Sequence, residues 1–210
     1  MPRRLALALA VFASLALPAV GAQAPQEYDG LAAVVNNFVY TKSFVRAVRQ
    51  LRLLDGPANA SDAAATVALV ERHLVLEEVA RYAMPEAAAD AVRDRRREWE
   101  ATLPPGFDLA AALKRDGLTE EDLAAWHAED VRIRAYLDKL FSASAQPTAF
   151  EIATYVRDHA ADLVAQGAAQ TPGALEAAAR RQLAQDNRTK RVREWIDALK
   201  RRADIAIKIK

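Results

Sequence analysis

Apolar and polar positions follow two different periods along this chain. Residues 31–40 (LAAVVNNFVY) are rich in β-branched and aromatic side chains around an Asn36-Asn37 turn signal, which predicts a short strand, a tight turn and a second strand over 38–40. At the other end, residues 204–210 read DIAIKIK: Ile205, Ile207 and Ile209 alternate with Ala206, Lys208 and Lys210, the period of a strand with one covered face. A lone strand leaves its backbone donors and acceptors unpaired, so each segment needs the other. The pattern therefore predicts a domain that closes on itself, with the two ends of the chain in one small sheet.

Between them the period is helical. Phe44, Val45, Val48, Leu51 and Leu54 form the stripe of a helix opening near Thr41 and running to the Gly56-Pro57 break. Ser61 is a good N-cap for a helix over 62–83. Val67, Leu69, Val70, Leu74, Val75, Leu76 and Val79 lie around much of its circumference, which marks it as the central, most buried element. After Met84-Pro85, residues 86–103 form a highly charged helix with Val92, Trp99 and Leu103 as its large apolar groups, expected on the outside. A short helix over 108–115 stops at Asp116-Gly117. Thr119-Glu120-Glu121-Asp122 and Thr148-Ala149-Phe150-Glu151 are capping sequences opening helices to about 142 and 165. Residues 166–173 (QGAAQTPG) are small, uncharged and turn-rich, a linker in pattern, before a long basic helix over 174–203.

The first residues change the picture of where this domain works. Arg3 and Arg4 precede LALALAVFASLAL, an apolar stretch short for a hydrocarbon core of about 30 Å, and Val20-Gly21-Ala22 offers small side chains for cleavage. Residues 1–22 thus read as a secretory signal peptide cut after Ala22, with the periplasm as the expected location. Its removal leaves 27 basic against 28 acidic residues, near neutrality, so no clustered charge points to nucleic acid. The chain has no cysteine, which excludes disulfides and thiolate chemistry. No later segment has the length and apolarity of a membrane span.

Three stretches then resemble a known family. Residues 31–44 (LAAVVNNFVYTKSF), 113–123 (LKRDGLTEEDL) and 175–210 (LEAAARRQLAQDNRTKRVREWIDALKRRADIAIKIK) look like, in order, the entry strand with its Asn-Asn turn and first helix, the Asp-Gly-Leu break before a capped long helix, and the closing helix and strand of the SurA and PrsA type of exported folding factors. The resemblance implies a mainly α fold: a helical SurA N-terminal-like chaperone domain with a small β-sheet formed by the N-terminal hairpin and the C-terminal strand. It implies a helical body over 23–165, a linker at 166–173 and completion of the same domain by 174–210. Two departures stand out. Phe38 occupies a position where the family usually has a small turn residue, and the parvulin prolyl-isomerase domain has no counterpart beyond residues 166–173. Isomerase activity is therefore not carried over.

Candidate chemistry is sparse. His73 and Glu77 lie one helical turn apart, but no third ligand is evident, and the pair reads as a boundary contact. His127 with Glu129 and Asp130, and His159 with Asp158 and Asp162, lack a nucleophile. Arg93, Arg95, Arg96 and Arg97 beside Trp99 are interleaved with acids, as on a solvated helix with ion pairs along it. No catalytic residue, metal site or cofactor is expected, and the protein is not expected to be an enzyme. The aromatics Trp126, Tyr136, Phe141, Phe150 and Tyr155 fit core positions by spacing; those that line an open groove would hold clients.

The expected function is that of an ATP-independent chaperone-like protein binding unfolded or extended segments of envelope and outer-membrane proteins. Alternatives from other classes are a dedicated adaptor subunit using the same groove for one envelope or secretion partner, and a residual prolyl isomerase. Exchange of the terminal strand would also allow a homodimer.

Overall fold

The computed structural model describes residues 29–57 and 59–209. The signal-peptide reading of residues 1–22 lies outside them. The described residues form a mainly helical fold with a small three-stranded antiparallel sheet.

β1 (Leu31–Val35) and β2 (Phe38–Thr41) make the hairpin, joined by Asn36 and Asn37 alone. The turn needs a left-handed residue, and Asn36 supplies it at φ 50°, a conformation that asparagine tolerates better than most side chains. Phe38 pairs with Val35 and begins β2 without a spacer. β3 (Ile205–Ile207) lies on the other side of β1 with Val35 opposite Ile205 and Ala33 opposite Ile207, giving the order β2-β1-β3. The two ends of the domain therefore share a sheet, as the alternating patterns predict. Ile205 packs on the main core, whereas Ile207 at the far end of the strand stays 43% exposed.

The Thr41 hydroxyl accepts the N–H of Phe44 and opens α1 (Lys42–Gln50), which buries Val45, Ala47 and Val48. The helix stops well before Gly56-Pro57. Arg52 takes a left-handed φ of 52° and the Leu53 N–H turns back to the Val48 carbonyl, a C-terminal cap made without glycine. Ser61 caps α2 (Asp62–Arg81), whose buried residues are Ala65, Thr66, Leu69, Val70, Leu74, Val75 and Val79. It is the central element, packed against α1, α5, α7 and β1.

α3 (Ala89–Glu100) is shorter than its charge pattern predicts and is more than a solvated outer helix. Trp99 is wholly buried and its Nε1 donates to the Leu51 carbonyl at 2.7 Å. Its arginines reach across to the neighbouring helix rather than only along their own. Arg95 meets Asp130, Arg96 meets Glu120, and Glu98 meets Arg134.

α4 (Leu109–Asp116) is capped by Asp108 and ended by Gly117 at φ 67°, a conformation a side chain would strain. α5 (Glu120–Phe141) and α6 (Ala149–Ala165) both open with complete capping boxes, Thr119 with Asp122 and Thr148 with Glu151. α6 bends at His159, where φ is −129°. Residues 166–171 are the turn of a helical hairpin, with the Gly167 and Ala168 N–H groups folding back onto Val164 and Leu163. α7 (Pro172–Lys200) first packs on α6 around Ile152, Leu163 and Ala179, then returns to the body, where Trp195 and Ile196 meet Val79 and Tyr136 and Leu199 enters the main core.

A candidate peptide-binding groove

β2, the start of α1, one face of α2 and the first half of α5 leave an open groove of about 510 Å³ between them. Its aromatic wall comes from a simple geometry. Phe38 and Tyr40 point to the same side of β2, and Phe44 follows on the first turn of α1. Their rings run in a row: Phe38 to Tyr40 at 4.9 Å, Tyr40 to Phe44 at 5.8 Å, and Phe44 to Trp126 of α5 at 6.5 Å. The α2 face bearing His73, Leu76, Glu77 and Ala80, spaced i, i+3, i+4 and i+7, also lines the groove, as do Leu113, Leu118 and Leu123. Phe38 is 48% exposed, an unusual state for a phenylalanine on a covered sheet face.

The polar groups around the groove are tied down. Arg72 lies over the Trp126 ring at 4.0 Å, donates to the Trp126 carbonyl, and reaches Glu129 and Asp130 at 2.8 Å each. Asp130 is shared with Arg95 at 2.9 Å. Burial pushes the Asp130 carboxyl up from the ordinary carboxylate value, and the two guanidiniums oppose that shift. Trp126 itself is oriented by its Nε1, which donates to the Leu53 carbonyl at 3.1 Å. The wall is thus preorganised by charge-assisted bonds behind it.

His73 sits at the rim. Phe38 stacks on its ring at 4.8 Å, the Tyr40 hydroxyl is 3.4 Å from Nδ1, and Nε2 is 3.5 Å from Glu77. With its proton on Nε2, the imidazole accepts from the Tyr40 hydroxyl at Nδ1 while Nε2 faces Glu77. Burial pushes the Tyr40 phenol up to about 12, which keeps it protonated as that donor. Glu77 accepts two further bonds from the Asn36 amide, at 2.9 and 2.8 Å.

The aromatics singled out from sequence are scattered. Trp126 lines the groove. Tyr136 and Phe141 are buried against Trp195, at 5.9 and 5.8 Å between rings. Tyr155 is half-buried between α6 and α7, stacked on His159 at 4.4 Å. Phe150 stands 80% exposed on the first turn of α6. The groove residues that helical spacing on α5 does not reveal are Phe38, Tyr40, Phe44, His73 and Leu76. Their signal was present as an aromatic at i and i+2 of a strand followed by one on the next helix turn, facing a second apolar stripe on α2.

The remaining histidines have other surroundings. His127 is wholly buried beside Trp99, at 5.2 Å between rings, and neither ring nitrogen has a partner. Burial, with Arg95 and Arg96 nearby, pushes its pKa down to about 4. His159 pairs with Asp162 at the bend of α6. Among the described residues no three histidine, aspartate or glutamate groups gather closely enough to hold a metal ion, and no helix is long and apolar enough to cross a membrane. No protein-family model matches the chain, and no curated protein matches it.

Proposed function

We propose that this protein is an exported, ATP-independent chaperone-like protein that holds extended apolar segments of unfolded envelope and outer-membrane proteins in the groove between β2, α2 and α5, without prolyl isomerase activity. The observation that carries this reading is the open groove of about 510 Å³ lined by the aromatic row of Phe38, Tyr40, Phe44 and Trp126 together with Leu76. Such a groove offers apolar area to a side chain leaving water, worth about 25 cal/mol per Å² buried. Ordering a flexible segment costs much of that gain, so binding is weak and release needs no nucleotide.

Two further points support it. The resemblance of residues 31–44, 113–123 and 175–210 to the SurA and PrsA folding factors fits a helical body closed by its two ends. The leader-like residues 1–22 fit work in the periplasm, where ATP is not at hand. The test is suppression of aggregation of a urea-diluted outer-membrane protein by residues 23–210, against an inert protein of equal size. Suppression near stoichiometric ratios is expected. No suppression, together with one stoichiometric partner in a crosslinking pull-down, would replace this reading by that of a dedicated adaptor.

A further inference from the structure

The charges around the groove are unequal. Its lining residues include three carboxylates, Glu77, Asp122 and Glu129, and a single cation, Arg72. That cation is only 9% exposed and is held by Glu129 and Asp130, with Trp126 under its guanidinium, so it has little charge left to offer an incoming segment. Asp130 in turn belongs to Arg95 as well as Arg72, so this network is internally balanced. Glu77 and Asp122 stand outside it. Glu77 meets the neutral Asn36 amide and His73, and Asp122 meets the hydroxyl and N–H of its cap residue Thr119. Neither has a lysine or arginine partner among the described residues. Two carboxylates thus face the groove without an answering cation.

The aromatic wall strengthens the same preference. Phe38 is nearly half exposed and packs on His73, whose Nε2 lies 3.5 Å from Glu77, so a long basic side chain can lay its methylenes along the ring and bring its charge toward the Glu77 carboxylate. One face of Trp126 is already taken by Arg72, and Phe38 is the most exposed of the four rings. An acidic segment would meet Glu77 and Asp122 with like charge and gain nothing from the ring.

We propose that the groove selects extended segments in which an apolar side chain is flanked by lysine or arginine, the apolar group entering between Phe44, Leu76 and Trp126 and the basic group meeting Glu77 or Asp122. This rests on the groove being the client site, and it adds to that reading the charge of what is held.

The test uses three fluorescent peptides of equal length and identical apolar centre, flanked by Lys, by Ser or by Glu, titrated with the purified protein by anisotropy. The Lys-flanked peptide is expected to bind about tenfold tighter than the Glu-flanked one, with Ser between, and the gap to narrow as salt is raised. Glu77→Gln, which keeps an acceptor for Asn36, and Asp122→Asn, which keeps one for Thr119, are each expected to narrow the ratio of Lys-flanked to Glu-flanked affinity. Equal affinities for the three peptides, or a gap unmoved by both variants, would overturn the charge selection while the groove reading stands. If none of the three binds, both fall.

Discussion

The backbone N–H of Asn36 donates to the carbonyl of Asp204 at 2.7 Å, and the Asn36 side-chain oxygen accepts the N–H of Asp204 at 3.2 Å, across 168 residues of sequence. The same amide donates to both Glu77 oxygens. One turn residue therefore ties together the hairpin, the returning C-terminal strand and the central helix. Asn36→Gly keeps the left-handed turn and removes only these side-chain bonds, and is expected to cost about 1–3 kcal/mol in urea unfolding. Asn36→Asp would set a carboxylate against Glu77 and is expected to cost more than Asn36→Gly. An Asn36→Gly protein as stable as the parent would remove the tie from the account.

That closure was legible in the sequence because a strand announces its need for a partner. The segment around Ile205 had no strand to pair with but those of residues 31–40, and capping boxes such as Thr119 with Asp122 announce helix starts by local chemistry alone. The groove was less legible because it depends on which face of each element is left uncovered. Spacing on α5 places Tyr136 and Trp126 alike on an apolar face, and only the return of α7, bringing Trp195 onto Tyr136, buries one and leaves the other at the groove. The end of α1 was hidden for a related reason. Arg52 adopts a left-handed conformation usually given to glycine, so the Gly56-Pro57 signal lay beyond the true stop.

His127 is expected to make the fold acid-sensitive. Its folded pKa of about 4 lies below the ordinary 6.5, so the unfolded chain takes up a proton that the folded one refuses as pH falls. The neutral imidazole's contribution is present above about pH 6.5 and is lost progressively toward pH 4, amounting to as much as about 3 kcal/mol. His127→Leu removes two unpartnered buried nitrogens and is expected to flatten stability between pH 6.5 and 4, read by urea unfolding at several pH values. An unchanged pH profile would place the sensitivity elsewhere.

Removing Arg72 strands charges that it now satisfies. Arg72→Met leaves Glu129 without its guanidinium and Asp130, only 12% exposed, with Arg95 alone, and frees the Trp126 ring. The expected loss is about 3 kcal/mol, because breaking a buried pair costs more than the pair contributes. Arg72→Lys keeps the charge but not the two-pronged geometry, and is expected to recover only part of it in thermal unfolding.

Phe38 and Phe150 are both exposed, and only Phe38 lines the groove. Phe38→Ser is expected to weaken client binding about tenfold, near 1.4 kcal/mol, with a small effect on stability. Phe150→Ser is expected to change neither, as measured by peptide anisotropy and urea unfolding. The reverse result would move the client site to the α6–α7 hairpin.

The groove reading is tested most directly by site-specific photo-crosslinking of an unfolded outer-membrane protein, with the crosslinker placed in turn at Phe38, Leu76 and Phe150 of the protein. Strong client adducts at Phe38 and Leu76, competed by an unlabelled apolar peptide, and weak ones at Phe150 are the predicted result. Adducts equal at all three positions, or strongest at Phe150, would contradict a client held between β2, α2 and α5.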